Sequence, residues 1–340
     1  MCCQSCVRSQ CASCAELYRG DWAAIARSGV FDGPVQNYRF YLLTLTAPSF
    51  GRVHRVPKME GAKVQRCGCD ARHTLADGDL RGVPLDVASY DYAGLVAWNR
   101  DSGLLWDRTR RRLRDYWPSV EFFVVREWQD RGALHLHTLV RIARSEAPRP
   151  GLLGESARTA TAFSKVDGAL VSWGEQGDCQ AFRADCDGAK TIWYLSKALN
   201  YVLKDAVRAS GGGSRSWGHL ARLSTAARVM RCSPGCAPRD CPSHTHTRYG
   251  ARGHVVSASR RTKSRTGWSF TGMTRKRQRE QRSEWVAARA ARAESAPAER
   301  VVAVLEAGSV RAVSELRARV GSIRVFSDDG VGRPGASVRR

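Results

Sequence analysis

Residues 119–142 read Ser-Val-Glu-Phe-Phe-Val-Val-Arg-Glu-Trp-Gln-Asp-Arg-Gly-Ala-Leu-His-Leu-His-Thr-Leu-Val-Arg-Ile, two β-prone runs on either side of Asp130-Arg131-Gly132. A polar, glycine-containing break between runs rich in Val, Phe and Leu is the pattern of a β-hairpin turn. The second strand then carries His135 and His137. Alternate residues of a strand share a face, so the two imidazoles stand with Cα atoms roughly 6.6 Å apart, within reach of one cation. The facing strand offers Glu127 and Gln129, and a turn with an odd number of residues sets one of them beside the histidines. Two His and one oxygen ligand, with positions left open, suit Mn²⁺ or Mg²⁺ and phosphate chemistry. His-Leu-His also fits a plain half-buried strand. The rest of the chain has to decide between the two.

Charge narrows the partners. Lys and Arg outnumber Asp and Glu 55 to 32, giving a net charge of +23 and a pI near 10.2. Such a field draws polyanions and says little about fold, and nucleic acid is the partner that rewards it through counterion release. A merely solvated basic surface is the bland alternative. No apolar run reaches the 18 to 20 residues of a membrane span, and Met-Cys-Cys-Gln-Ser-Cys has no signal-peptide core, so a cytoplasmic protein is expected. Twelve cysteines there point to metal rather than disulfides.

Along the chain, Cys3-x-x-Cys6 and Cys11-x-x-Cys14 are possible zinc knuckles, too close together for one closed site. Cys67-Gly-Cys69, followed by His73, offers a second thiol pair, and the expected structural zinc site takes Cys11, Cys14, Cys67 and Cys69. Helical spacing runs from Cys14 to Gly29, and Tyr38 to Thr46 reads as a central strand whose Thr44 and Thr46 share a face and could hold a phosphate. Residues 85–117 suggest one or two helices with packed aromatics and a basic flank, whereas 145–188 look loop-rich. Residues 190–208 read as a helix ended by Gly211-Gly212-Gly213, with Tyr194 and Lys197 on one face and Tyr201 and Lys204 likewise paired. A phenol next to a cation is a candidate covalent nucleophile, against the plainer reading of an amphipathic core helix. Cys232, Cys236, Cys241 and His244, with His246 close by, form a second expected zinc site. Arg260, Arg261, Lys263 and Arg265, with Trp268 and Phe270 in the same basic stretch, are expected at the phosphate backbone. From Trp285 to Val320 an Ala/Arg/Glu-rich helical pattern follows, then a loose tail.

Taken in order, Thr44-Leu-Thr-Ala-Pro-Ser-Phe-Gly51 with Val53-His54, Tyr90-Asp91-Tyr92 with Trp98-Asn99, Glu127-x-Gln129-x-Arg131-Gly132 leading to His135-x-His137, and Tyr-x-x-Lys form a distinctive series. With the later Tyr249–His254 and Ser259-Arg260-Arg261 segments, it resembles the rolling-circle replication initiators of high-GC Gram-positive plasmids, within the His-hydrophobic-His endonucleases. The resemblance implies that His135, His137 and Glu127 hold the divalent metal. It implies too that a helix tyrosine nicks the strand, leaving a 5′-phosphotyrosine link and a free 3′-OH. The family's Tyr-x-x-Lys-Tyr-x-x-Lys is interrupted here by Ala198, and Tyr201 with Lys204 is placed ahead of Tyr194 with Lys197 as the nucleophile pair.

The expectation is therefore an α+β protein with a central antiparallel sheet carrying the His-x-His strand. A Cys-rich part (1–75) including the first sheet strand precedes an endonuclease core (76–210), a Cys/His-rich basic segment (211–275) and a basic helical region (276–340). It would nick and rejoin one strand of plasmid origin DNA with Mn²⁺ or Mg²⁺, carry structural Zn²⁺, and work with a host helicase and polymerase. A relaxase or single-strand transposase of the same superfamily, or a non-catalytic zinc-containing DNA-binding regulator, are the rivals.

Overall fold

The computed structural model describes residues 11–62, 64–198, 214–252 and 255–294. The chain divides into two compact units, 1–275 and 276–340. The first unit is α+β, built on a five-stranded sheet. Its strands are β1 (Tyr38–Thr46), β2 (Glu121–Trp128), β3 (Leu134–Ala143), β6 (Gly177–Phe182) and β7 (Val256–Ala258), in the order β6-β1-β3-β2-β7 and antiparallel at every step. A small hairpin of β4 (Thr161–Phe163) and β5 (Leu170–Ser172) stands apart. In the second unit the described residues, 276–294, belong to the helix Arg275–Glu294. No described helix is long and apolar enough to cross a membrane.

The central strands are apolar on both sides because both sides are covered. Tyr41, Leu43 and Leu45 of β1, Phe122 and Val124 of β2, and Leu136, Val140 and Ile142 of β3 face one core. The alternate residues Phe40, Phe123, Val125 and Leu139 face a second. On the first side lies α2 (Tyr92–Tyr116), a single 25-residue helix. Asp91 caps it by accepting from the Gly94 amide at 2.7 Å, which satisfies an otherwise orphan donor of the first turn. Its buried residues Leu95, Val96, Trp98, Leu105, Trp106 and Leu113 recur at helical spacing, so these aromatics are core residues. The second side is closed by α1 (Ala12–Phe31) through Ile25, Ala26 and Val30, and by α4 (Cys186–Ala198) through Ile192 and Leu195. With Ile192 and Leu195 turned into that core, Tyr194 is left at its edge, about half exposed.

Two expectations are corrected. The loop-rich 145–188 holds α3 (Pro150–Arg158), the β4–β5 hairpin and the edge strand β6. β6 is Gly-Asp-Cys-Gln-Ala-Phe, an edge strand with no buried residue, so it leaves no apolar alternation to read. Trp268 and Phe270 do not belong to a DNA surface. Trp268 is fully buried in the second core, its indole N–H donating to the Ile25 carbonyl at 3.1 Å. Its ring fills the space where a Cβ on Gly29 would lie, 2.1 Å away. Phe270 stacks on the buried guanidinium of Arg141, 3.7 Å from its ring centre.

Candidate metal centre

The β2–β3 turn decides which oxygen meets the histidines. Trp128 pairs with Leu134, so residues 129–133 form a loop of odd length and Glu127 lies directly across from His135. Gln129 is instead drawn into the turn, where its side-chain oxygen accepts from Arg131 Nε at 2.8 Å. On the other side of β3, Thr44 pairs with His137 and Thr46 with His135. Strand pleating thus sets Thr44, His137, His135 and Glu127 on the face that carries the second core, at the end where that core stops.

Glu127 Oε2 lies 3.1 Å from His135 Nε2 and 3.2 Å from His137 Nε2. Adjacent ligands of an octahedral ion with bonds near 2.1 Å are separated by roughly 3 Å, so the donor set fits such a cation. His137 Nδ1 is 3.0 Å from Thr44 Oγ1, an outer partner that fixes the ring and aims Nε2 inward. Burial works against ionising Glu127, but hydrogen bonds from both imidazoles outweigh it and bring the carboxyl down to about 2. Burial lowers His135, with the Glu127 hydrogen bond opposing it, so the neutral, metal-binding form is favoured.

Tyr194 arrives from α4, its hydroxyl 3.5 Å from His137 Nε2 and its ring edge-on to the imidazole. Burial raises this phenol, the Glu127 charge adds to the effect, and the Lys58 ammonium opposes it. Tyr194, Glu127 and His135 line a cavity of about 1170 Å³ whose other walls include Arg52, Arg55 and Lys58. Lys58 is held by Asp130 of the hairpin turn at 2.8 Å. Arg131 fixes the chain leaving β1 by donating to the carbonyls of Pro48 at 2.9 Å and Ala47 at 3.0 Å.

The other expected residues fall as follows. Tyr201 and Lys204 lie outside the described residues, as do Cys3, Cys6, Gly211 to Gly213, Gly253, His254 and the helical pattern beyond Glu294. Lys197 belongs to the last turn of α4. The Thr46 hydroxyl donates to the Gln176 carbonyl, so both threonine hydroxyls are engaged within the protein. Arg260, Arg261 and Lys263 are exposed and Arg265 half-buried on a loop closed by the Trp268 amide donating to the Ser259 carbonyl at 2.9 Å.

The cysteine groupings change. Cys67 and Cys69 converge with His54 and His73, not with Cys11 and Cys14, which begin α1. The loop between β1 and α2 brings four candidate ligands of its own together, which the sequence hinted at only through His73. Cys232, Cys236 and Cys241 converge with His246 rather than His244. Both histidines sit in one short 3₁₀ turn, where His244 is exposed and His246 buried. His246 Nδ1 bonds the Ala227 carbonyl at 2.9 Å, turning Nε2 to within 3.5 Å of Cys236 Sγ. The Cys232 backbone N–H contact, aided by the neighbouring thiols and His246, lowers Cys236 to about 6.

Comparison with known proteins gives the same direction. The RepSA family, described as replication initiator protein, pSAM2, matches residues 1–320. A replication initiator protein of Streptomyces ambofaciens is 30% identical over 311 residues, covering 76% of this chain. The match covers 66% of that relative, so this chain spans just under two thirds of its length. No solved structure matches.

Proposed function

Because this chain belongs to the RepSA family of replication initiator proteins, we propose that it starts plasmid replication by nicking and rejoining one origin strand, with Tyr194 as the nucleophile. The observation that carries the reading is the meeting of Tyr194 with the Glu127–His135–His137 group, reached from a different element of the fold at 3.5 Å. A buried strand histidine needs no such company.

Glu127, His135 and His137 would hold Mn²⁺ or Mg²⁺, which supplies positive charge to a non-bridging oxygen of the scissile phosphate. The protein's own groups do the rest. Thr44 keeps the His137 ring in orientation. Arg52, Arg55 and Lys58 neutralise the flanking phosphates along the cavity wall. The Tyr194 oxygen bonds to phosphorus, the bond to the 3′ oxygen breaks, and the phenol's proton is balanced by the one gained on the 3′-hydroxyl. The protein retains a 5′-phosphotyrosine link, so rejoining needs no nucleotide cofactor. The free 3′-OH then serves a host polymerase, with a host helicase opening the duplex. Structural zinc at Cys232, Cys236, Cys241 and His246 completes the proposal.

The test is nicking of supercoiled origin plasmid with Mn²⁺ by wild type, His137→Ala, Tyr194→Phe and Tyr201→Phe. Wild type and Tyr201→Phe should nick, and the other two should not. A protein that binds the origin without any nicking would be a DNA-binding regulator, and the enzymatic reading would fall.

A further inference from the structure

The loop that joins β1 to α2 carries chemistry that strand cleavage does not use. His54 Nδ1 lies 3.1 Å from His73 Nε2, Cys69 Sγ 3.2 Å from the same nitrogen, and Cys67 Sγ 3.7 Å from His54 Nδ1. All four donor atoms lie within 4.8 Å of one another. A tetrahedral zinc ion with bonds of 2.0 to 2.3 Å separates its nitrogen and sulfur ligands by roughly 3.3 to 3.8 Å, close to what is seen. Two thiols and two imidazoles are a soft, complete donor set, in contrast to the carboxylate and open positions of Glu127, His135 and His137. The outer contacts are present as well. The Asp77 carboxylate lies 3.6 Å from His73 Nδ1 and accepts from the Thr74 amide at 2.8 Å. Such a partner fixes a ligand ring.

What this group positions is the cavity wall. His54 sits beside the Val53–Pro84 bridge, donating its amide to the Val83 carbonyl at 2.9 Å, while Leu85 donates back to Arg52 at 2.9 Å. Gly68, between the two cysteines, lies against the Arg52 side chain, since a Cβ there would come within 2.4 Å of Arg52 Nη2. The Arg52 guanidinium therefore rests on the cysteine loop itself. On the far side Gly82, at φ +73°, seats the strap against the hairpin turn, where a Cβ would lie 2.4 Å from the Asp130 carbonyl carbon. Arg52, Arg55, Lys58 and Arg66 all line the cavity from this strap. Apart from the kinked six-residue 3₁₀ segment Leu75–Leu80, no strand or helix crosses its described residues, so hydrogen-bonded secondary structure alone holds it weakly.

We propose that His54, Cys67, Cys69 and His73 bind a structural zinc ion that fixes this strap, so that occupancy of the ion sets how tightly the cleft grips single-stranded DNA. The metal half stands by itself, and the DNA half rests on the proposed function. Full-length wild type, Cys67→Ser/Cys69→Ser, His73→Cys and Cys236→Ser are compared for zinc content by elemental analysis, for the Co²⁺ spectrum, and for binding of a labelled single-stranded oligonucleotide over a salt series. The double serine variant should hold one zinc equivalent fewer than wild type, bind the oligonucleotide roughly tenfold more weakly and show a shallower salt slope, as lost phosphate contacts require. His73→Cys should keep the zinc, take on the Co²⁺ spectrum of a three-thiolate site and keep wild-type DNA binding, which separates loss of the ion from general misfolding. Cys236→Ser should leave the strap's ion in place. Unchanged zinc content in the double serine variant would overturn the site, as would loss of zinc from a folded His73→Cys. Unchanged oligonucleotide binding after zinc loss would overturn its role in the cleft. If wild type holds the zinc but nicks nothing, the proposed function fails while the metal site stands.

Discussion

The β2–β3 ladder carries a carboxylate near each end on one face, and the two have opposite fates. Glu121 lies opposite Arg141, both buried. Burial holds the Glu121 carboxyl above its usual range, with Ser259 and Arg141 pulling the other way. Glu127 lies opposite His135 at the other end, and two imidazoles outdo its burial and bring it down to about 2. One end is sealed by α1 and Trp268, with the Arg141 guanidinium donating to the carbonyls of Gly29 at 2.9 Å and Trp268 at 2.6 Å. The other opens on a basic cavity. A charge sealed among backbone carbonyls serves the fold, whereas one set beside two imidazoles and open space suits a cation.

That contrast can be broken by substitutions at the two ends. The largest effect is expected from His137→Ala, which should cut Mn²⁺-dependent nicking of supercoiled DNA by on the order of a hundredfold or more while urea denaturation changes little. Arg141→Met should do the reverse. It leaves the carbonyls of Gly29 and Trp268 without their donor and removes one of the arginines that face the Glu121 carboxyl, so unfolding should become easier by about 3 kcal/mol, read in the same urea experiment. If His137→Ala unfolds the protein and Arg141→Met does not, the assignment of the two ends is inverted. Thr44→Val tests the outer contact on His137, and Mn²⁺ affinity by titration calorimetry should fall about tenfold, with the fold intact.

The smallest effect belongs to Glu121→Gln. A carboxyl whose folded pKa is raised binds its proton more tightly in the folded state, so its contribution to stability is present at low pH and lost as pH rises through the folded value. Glu121→Gln should therefore be slightly more stable than wild type at neutral pH, and the gain should vanish on acidification. A gain that grows toward low pH would contradict the burial argument.

How much of the fold and the site was legible in the sequence depends on the kind of residue. The hairpin and the shared face of His135 and His137 were legible because strand periodicity is local and rigid, whereas the choice between Glu127 and Gln129 waited on the length of the turn. α1, β1 and α2 were equally visible through apolar spacing. β6 was not, since an exposed edge strand has no buried side to advertise. Ligand sets built from loops escaped in part: cysteine pairs announce themselves, but whether His54, His73 or His246 completes them depends on how the intervening loop turns back. Trp268 and Phe270 looked like DNA contacts because arginines surround them in sequence, yet these rings pack around Arg141 and the end of α1. Only tertiary contact separates a buried aromatic from a stacking platform.

The opened end of the ladder and the Tyr194 phenol are proposed to make up one strand-cutting site. Trapping the covalent product on an origin oligonucleotide and sequencing the modified peptide by mass spectrometry checks this pairing. A 5′-phosphate attached to Tyr194 is expected, absent from His137→Ala. An adduct on Tyr201, or none on any tyrosine of a protein that nicks, would contradict it.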